Sequence, residues 1–351
     1  MLVSTPPAPS VPDGLLLRIY RVALLTRAVD HQLWLLARQG RAGFVLTARG
    51  HEVAQVASTA AMRRGSDTAW PYYRDMGVGL ALGVTPYEIL LGALARAADP
   101  HSGGRQLTMH LSSRRLRIGS ISSAIGAHLP HAVGAAYAAR LRGEDSVAMC
   151  WFGDGACSEG ATHEAMNLAA VHRLGVVFIC ENNGLAISVP LRLQMPVQRV
   201  SDRASAYAMP GVSVDGTDAE AVHAATCAAV ARARRGDGPS LLELRVPRIT
   251  PHSSQDDDAY RTDEQRAAAA AADPLPRLRE TLLERCLLTA EEDERLVRTL
   301  REGVIADEDL ALAQPPPTPE RARRWRVAGD PPHGGVTLPD RHAGWSGVFD
   351  G

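Results

Sequence analysis

Apolar residues recur at helical spacing early in the chain. Leu15, Ile19 and Val22, followed by Leu25, Val29, Leu33 and Leu36, predict a helix over residues 14–39, with Gly40 as its stop. Residues 50–63 and 85–98 carry similar patterns, with a polar and aromatic loop, Trp70-Pro-Tyr-Tyr-Arg-Asp75, between them. Residues 99–126 are rich in Gly, Ser and Arg and have little periodicity, as expected of a functional or mobile loop. An Ala- and Gly-dense helix is expected over 129–141. Two short apolar runs, 146–152 and 176–180, then flank a helical stretch at 159–173. This order of strand, glycine turn, helix and strand predicts a βαβ unit with a right-handed crossover. A helix around 218–235 precedes another strand candidate at 240–246. The expected fold class is therefore α/β, a parallel sheet flanked by helices. From residue 273 the chain is helical and charged, then passes through the proline-rich 314–320 into a polar tail. The expected organisation is a disordered leader at 1–12, one domain over 13–262, and a helical C-terminal extension over 263–351. No internal repeat is found.

Composition narrows the chemistry. The 351 residues carry 38 basic against 39 acidic side chains, a net charge of −1, with no basic footprint for nucleic acid or an anionic membrane. All 38 basic residues are arginines. The absence of lysine excludes Schiff-base mechanisms and phosphate loops of the G-x-x-x-x-G-K type, so phosphate must be held by arginine, backbone amides or a metal. Five cysteines, with no C-x-x-C pair, argue against a disulfide framework or structural zinc. The first residues lack a signal-peptide pattern, and no apolar run approaches the ~18 residues of a membrane span. A soluble, cytoplasmic protein is expected.

Gly153-Asp154-Gly155 follows the first central strand and Asn182-Asn183-Gly184 the second. In a parallel βαβ unit both loops leave the same sheet edge, so Asp154 and Asn183 can meet in the crevice where such sheets bind ligands. A carboxylate and an amide oxygen are hard ligands that, with waters and phosphate oxygens, complete an octahedral magnesium site. A dinucleotide fingerprint is the rival reading, with Glu181 as the ribose-binding acid. It fits less well. The glycines do not read G-x-G-x-x-G, and Asp154 would face a pyrophosphate unless a cation lay between them.

The segment Cys150-W-F-G-D-G-A-C-S-E-Gly160, continued by Ile179-C-E-N-N-G-L-A-I-Ser188, resembles the thiamine-diphosphate motif of the alpha subunits of 2-oxoacid dehydrogenases. Tyr72-Tyr73-Arg74-Asp75, Gly104-Arg105-Gln106-Leu107-Thr108-Met109-His110, Ile121-Ser122-Ser123 and Arg248-I-T-P-His252-S-S-Q-Asp256 resemble further family segments, in family order. The likeness extends over most of residues 14–262. Within the family, Ser158-Glu159-Gly160, Gly104-Arg105-Gln106 and the acidic run after His252 are in the style of the branched-chain, 2-oxoisovalerate branch.

The resemblance implies a decarboxylating enzyme that uses thiamine diphosphate and Mg2+. Asp154, Asn183 and the carbonyl of Leu185 would take the metal, and Tyr73 and Arg74 the diphosphate. Ser123 and Ile125 would flank the aminopyrimidine. Gly153, Gly155, Ala156, Ser158, Glu159, Ala186 and Ile187 would complete the cofactor contacts, and Phe44, Leu107 and Met109 would line an apolar acyl pocket. His252 would be the acid/base, with His110 a second candidate; both would also touch the cofactor. A small 2-oxoacid would be the substrate, a lipoyl-bearing acyltransferase the acceptor, and a beta subunit the partner in an α2β2 heterotetramer. The helix over 129–141 is expected in the subunit contact.

Some positions depart from the family. Ala127 and His128 replace a Thr and Gln that help hold potassium in some relatives, so no potassium site is expected. Ala124 replaces a proline. Glu181 stands where some relatives have a phosphate-binding arginine. The alternatives are a pyruvate or acetoin dehydrogenase alpha subunit, a nicotinamide-dependent oxidoreductase, or an inactive assembly partner.

Overall fold

The computed structural model describes residues 11–324 together with Trp345 and Val348. Most of the expected leader and of the polar tail lie outside the described residues. Helix α1 (Asp13–Arg38) buries Leu16, Ile19, Leu25, Val29, Leu33 and Leu36 along one stripe. Helix α2 (Glu52–Thr59) is buried along its whole length and is shorter than its apolar pattern predicts. A three-residue strand, β1 (Thr68–Trp70), leads into the Tyr72–Asp75 loop and helix α3 (Met76–Leu82). Neither was expected. β1 is too short to carry a period, and α3 is buried all round and so has no polar face to mark it. Helix α4 (Pro86–Ala93) starts at a capping box of Thr85 and Glu88 with proline in its first turn. It ends before the predicted residue 98, because Ala95 turns the chain at φ 50°.

The centre follows the predicted order. Helix α5 (His128–Leu141) precedes β2 (Ala148–Gly153), a 3₁₀ turn over Asp154–Ser158, helix α6 (Gly160–Val171) and β3 (Val176–Asn182). A two-residue hairpin, β4 (Leu185–Ala186) and β5 (Val189–Pro190), and the single turn α7 (Leu191–Gln194) come next. A 3₁₀ segment, Val200–Tyr207, leads to β6 (Gly211–Asp215), helix α8 (Ala219–Arg234) and β7 (Ser240–Arg245). Strands β1, β2, β3, β6 and β7 form one parallel sheet in the order β1-β2-β3-β7-β6. Strand β6 was not expected; its residues Gly211 and Val212 are exposed at a sheet edge, which blurs the apolar signal.

The sheet is covered on both faces, so its central strands read as continuous apolar runs. Met149 and Trp151 of β2 enter one core with α1, α2 and α8, whereas Cys150 and Phe152 enter the other with α5 and α6. The register pairs Gly153 with Glu181, so β2 and β3 end side by side and release their following loops at one edge. Helices α9 (Asp263–Ala271), α10 (Pro274–Glu284), α11 (Ala290–Leu312) and α12 (Pro319–Arg323) complete the described chain. Leu278 and Leu282 of α10 and Leu300 and Val304 of α11 share the core of α1. Among the described residues no helix is long and apolar enough to cross a membrane.

Candidate functional site

A cavity of about 160 Å³ opens at the carboxyl edge of β2 and β3. Its floor is Gly153, Asp154, Gly155 and Ala156 from one strand end, and Asn183, Leu185, Ala186 and Ile187 from the other. Tyr73 and Arg74 form a wall with His252 and Ile125. Twelve of the residues read from the sequence as site residues therefore meet here. Gly155 is required by contact: a Cβ there would lie 2.9 Å from that of Ala186, so only glycine lets the two loops close on each other.

Asp154 is 1% exposed. Its Oδ2 accepts a hydrogen bond from Gln194 Nε2 at 2.9 Å, but it forms no ion pair among the described residues. Burial pushes its pKa above the usual carboxylate value, against the bond from Gln194. Arg74 is likewise buried, 3% exposed, and forms no ion pair among the described residues. It donates to the Thr47 carbonyl at 2.7 Å, and a second guanidinium nitrogen lies 3.2 Å from His252 Nδ1. Two buried groups of opposite charge thus line one cavity without neutralising each other. Buried charges are ordinarily paired or coordinate metals. An anion for Arg74 and a cation for Asp154 satisfy both.

His252 is fixed by these contacts. A guanidinium can only donate, so Nδ1 accepts and the proton of the neutral ring sits on Nε2. Burial, and then the charges of Arg74 and Arg248, lower its pKa to about 4. Its backbone N–H donates to Asp256 at 2.7 Å, which anchors the loop.

Seven of the sequence-derived residues lie off the cavity wall. His110 is buried, with Nδ1 donating to the Thr108 carbonyl at 3.0 Å and Nε2 accepting from the Ser123 hydroxyl at 2.6 Å. It stacks behind Tyr73 at 6.4 Å between centroids. Leu107, Met109 and His110 line a separate, smaller cavity with Glu88 and Asp99. Phe44 is tied to the same loop, its carbonyl accepting from the Thr108 hydroxyl at 2.7 Å. Ser158 and Glu159 are exposed at the start of α6.

The structure adds His128 and Gly126 to the wall, along with Tyr72, Ser122 and Phe152, which the sequence placed only within motifs. His128 donates from Nε2 to the Trp151 carbonyl at 2.7 Å, and burial lowers its pKa to about 4. The unfolded chain binds this proton at about pH 6.5, so the stability contribution is complete above 6.5 and lost as pH falls through 4. Urea unfolding at pH 7 and pH 4 is expected to show wild type losing roughly 3 kcal/mol more than His128→Gln over that range; parallel losses would refute the assignment.

Fold and cavity are those of an α/β protein with a charged crevice at the carboxyl edge of its parallel sheet. A family profile described as "Dehydrogenase E1 component" matches residues 20–320. The chain is 44% identical over 305 residues to a Bacillus subtilis protein named 2-oxoisovalerate dehydrogenase subunit alpha, covering 87% of this chain and 92% of that one. It is 38% identical over 287 residues to a Mycobacterium tuberculosis 3-methyl-2-oxobutanoate dehydrogenase subunit alpha, covering 82% and 75%. A mitochondrial human protein, 2-oxoisovalerate dehydrogenase subunit alpha, is 34% identical over 313 residues, covering 89% and 70%. The chain belongs to the dehydrogenase E1 component family, whose members depend on thiamine diphosphate.

Proposed function

We propose that this chain is the alpha subunit of a cytoplasmic branched-chain 2-oxoacid dehydrogenase, which decarboxylates 2-oxoisovalerate and related acids and passes the acyl group to a lipoyl-bearing acyltransferase. The observation that carries the reading is the pair of buried charges, Asp154 and Arg74, left unneutralised in one cavity. A diphosphate bridged by a divalent cation answers both.

In this reading Asp154, Asn183 and the Leu185 carbonyl hold Mg2+, a hard-oxygen set of the kind that ion prefers. Arg74, with its planar fork, and Tyr73 hold the diphosphate. Thiamine diphosphate supplies the nucleophilic carbon and the electron sink that decarboxylation of a 2-oxoacid needs. The chain's own part is positioning and proton transfer. Arg74 holds His252 Nδ1 as an acceptor, so in this geometry the ring donates a hydrogen bond from Nε2–H. For it to pass a proton at Nε2, Nδ1 must first take one up as the Arg74 contact opens. Ser123, held by His110, and Ile125 support the aminopyrimidine. We read residues 13–262 as the catalytic domain and 263–351 as its helical extension.

Exposed apolar side chains occur on the cavity wall and nearby in the chain. Ile187 and Ile125, both on the cavity wall, are exposed, Ile187 at 55%, and Val189 and Leu193 just after Ile187 in the chain are exposed too. On α5 and α6, Tyr137, Leu141, Leu168 and Val171 are exposed as well. Such surfaces fit burial against a beta subunit that supplies the rest of the cofactor site, in an α2β2 assembly. The relatives named above are alpha subunits, which supports the same reading.

Substrate choice is tested by comparing kcat/KM of the assembled enzyme on 3-methyl-2-oxobutanoate and pyruvate. Each methylene in an apolar pocket is worth ~1–3 kcal/mol, so a preference of about tenfold or more for the branched acid is expected. A preference for pyruvate would contradict the branched-chain reading.

A further inference from the structure

Beneath the cavity floor Glu181 and His51 are both fully buried, and neither lines the cavity. Glu181 Oε2 lies 2.6 Å from His51 Nδ1 and also accepts from Gln55 Nε2 at 3.1 Å and the Tyr72 hydroxyl at 3.2 Å. Across the ring, His51 Nε2 lies 3.4 Å from Nδ2 of Asn183. Carboxylate, imidazole and amide stand in line, and the amide is the one that lines the cavity.

Donor and acceptor chemistry fixes each orientation. The Leu185 N–H can only donate, and it lies 3.1 Å from Asn183 Oδ1, so the amide's NH2 end is the one facing His51. An NH2 group can only donate as well, so His51 Nε2 is the bare nitrogen. The ring proton is then on Nδ1, directed at Glu181. An imidazolium, or the opposite tautomer, would set N–H against N–H at Asn183.

We infer that Glu181 and His51 are positioning residues, which through one imidazole tautomer hold the Asn183 amide so that its oxygen, and not its nitrogen, is offered to a divalent cation. The inference rests on the magnesium reading proposed above. An amide turned the other way presents two N–H groups to the cation and repels it. Groups that orient a metal ligand from behind are worth ~10–100-fold in metal affinity. Glutamine at position 51 can reproduce the pattern, its NH2 toward Glu181 and its oxygen toward Asn183.

The test uses the chain assembled with its beta subunit, titrated calorimetrically with Mg2+ at fixed thiamine diphosphate. The variant His51→Leu/Glu181→Gln, which leaves no unpaired buried carboxylate, is expected to weaken apparent Mg2+ affinity by ~10–100-fold. His51→Gln is expected to stay within about threefold of wild type. Unchanged affinity in the double variant, in a protein whose wild type needs magnesium, overturns the positioning chain alone. A wild type that binds thiamine diphosphate equally well without magnesium overturns the metal reading and this inference with it. Nitrogen-15 spectra of the wild-type imidazoles, with the His51 signal identified by its loss in His51→Gln, give an independent readout that requires no fold from the double variant. The Nδ1–H tautomer is expected; an imidazolium or the Nε2–H tautomer overturns the proposal.

Discussion

Asp154→Ala is expected to abolish magnesium-dependent binding of thiamine diphosphate while leaving the fold intact. The carboxylate is buried with no ion pair among the described residues, and burial raises its pKa, so without a bound metal it is a burden on the folded chain and its removal costs little stability. Its loss removes the only charged group we assign to the metal, and affinity should fall by at least ~100-fold, beyond the effect of outer partners. Calorimetric titration with the cofactor and Mg2+, beside a melting curve, separates the two effects. Wild-type affinity in the variant would remove Asp154 from the metal site. A collapsed melting temperature would give it a structural role instead.

His252→Ala is expected to lower turnover by ~10²–10⁴, the worth of a positioned acid or base, with cofactor affinity nearly unchanged. The separation follows from the geometry. Arg74 keeps its bond to the Thr47 carbonyl when the imidazole is gone, so the diphosphate contact survives. Only the proton carried on Nε2 is lost. Single-turnover decarboxylation by the assembled enzyme measures this step directly. Turnover within twofold of wild type would make His252 a bystander, and a parallel loss of affinity would make it a binding group.

The parts of this site that are local in sequence were legible from sequence. Asp154 and Asn183 follow strand ends whose apolar runs are continuous, and parallel pairing makes their neighbourhood a consequence of topology. The strands β1 and β6 and the helix α3 were not legible. The first is too short for a period, the second half-exposed at an edge, and the third buried on every side. The groups behind the site were the hardest to foresee. His51 reaches Asn183 across 132 residues of sequence, and nothing near either one marks the pairing. Gln194 meets Asp154 only because the hairpin β4–β5 folds back, with Gln194 Nε2 also bonded to the Val189 carbonyl. His128 could be read only as a departure from a potassium ligand; its bond to the Trp151 carbonyl depends on how α5 lies against β2. The loop of residues 104–110 shows the converse. Its motif was legible, but the structure sets Leu107, Met109 and His110 around a neighbouring cavity.

We propose that this chain supplies the metal and diphosphate half of a thiamine-dependent decarboxylating site, and that a beta subunit supplies the remainder. The most direct measurement is decarboxylation of 3-methyl-2-oxobutanoate, with excess thiamine diphosphate and Mg2+, by the purified chain before and after addition of the beta subunit. No sustained turnover is expected from the chain alone, and full activity is expected on assembly. Sustained turnover by the chain without a partner, or none from the assembled pair, would contradict it.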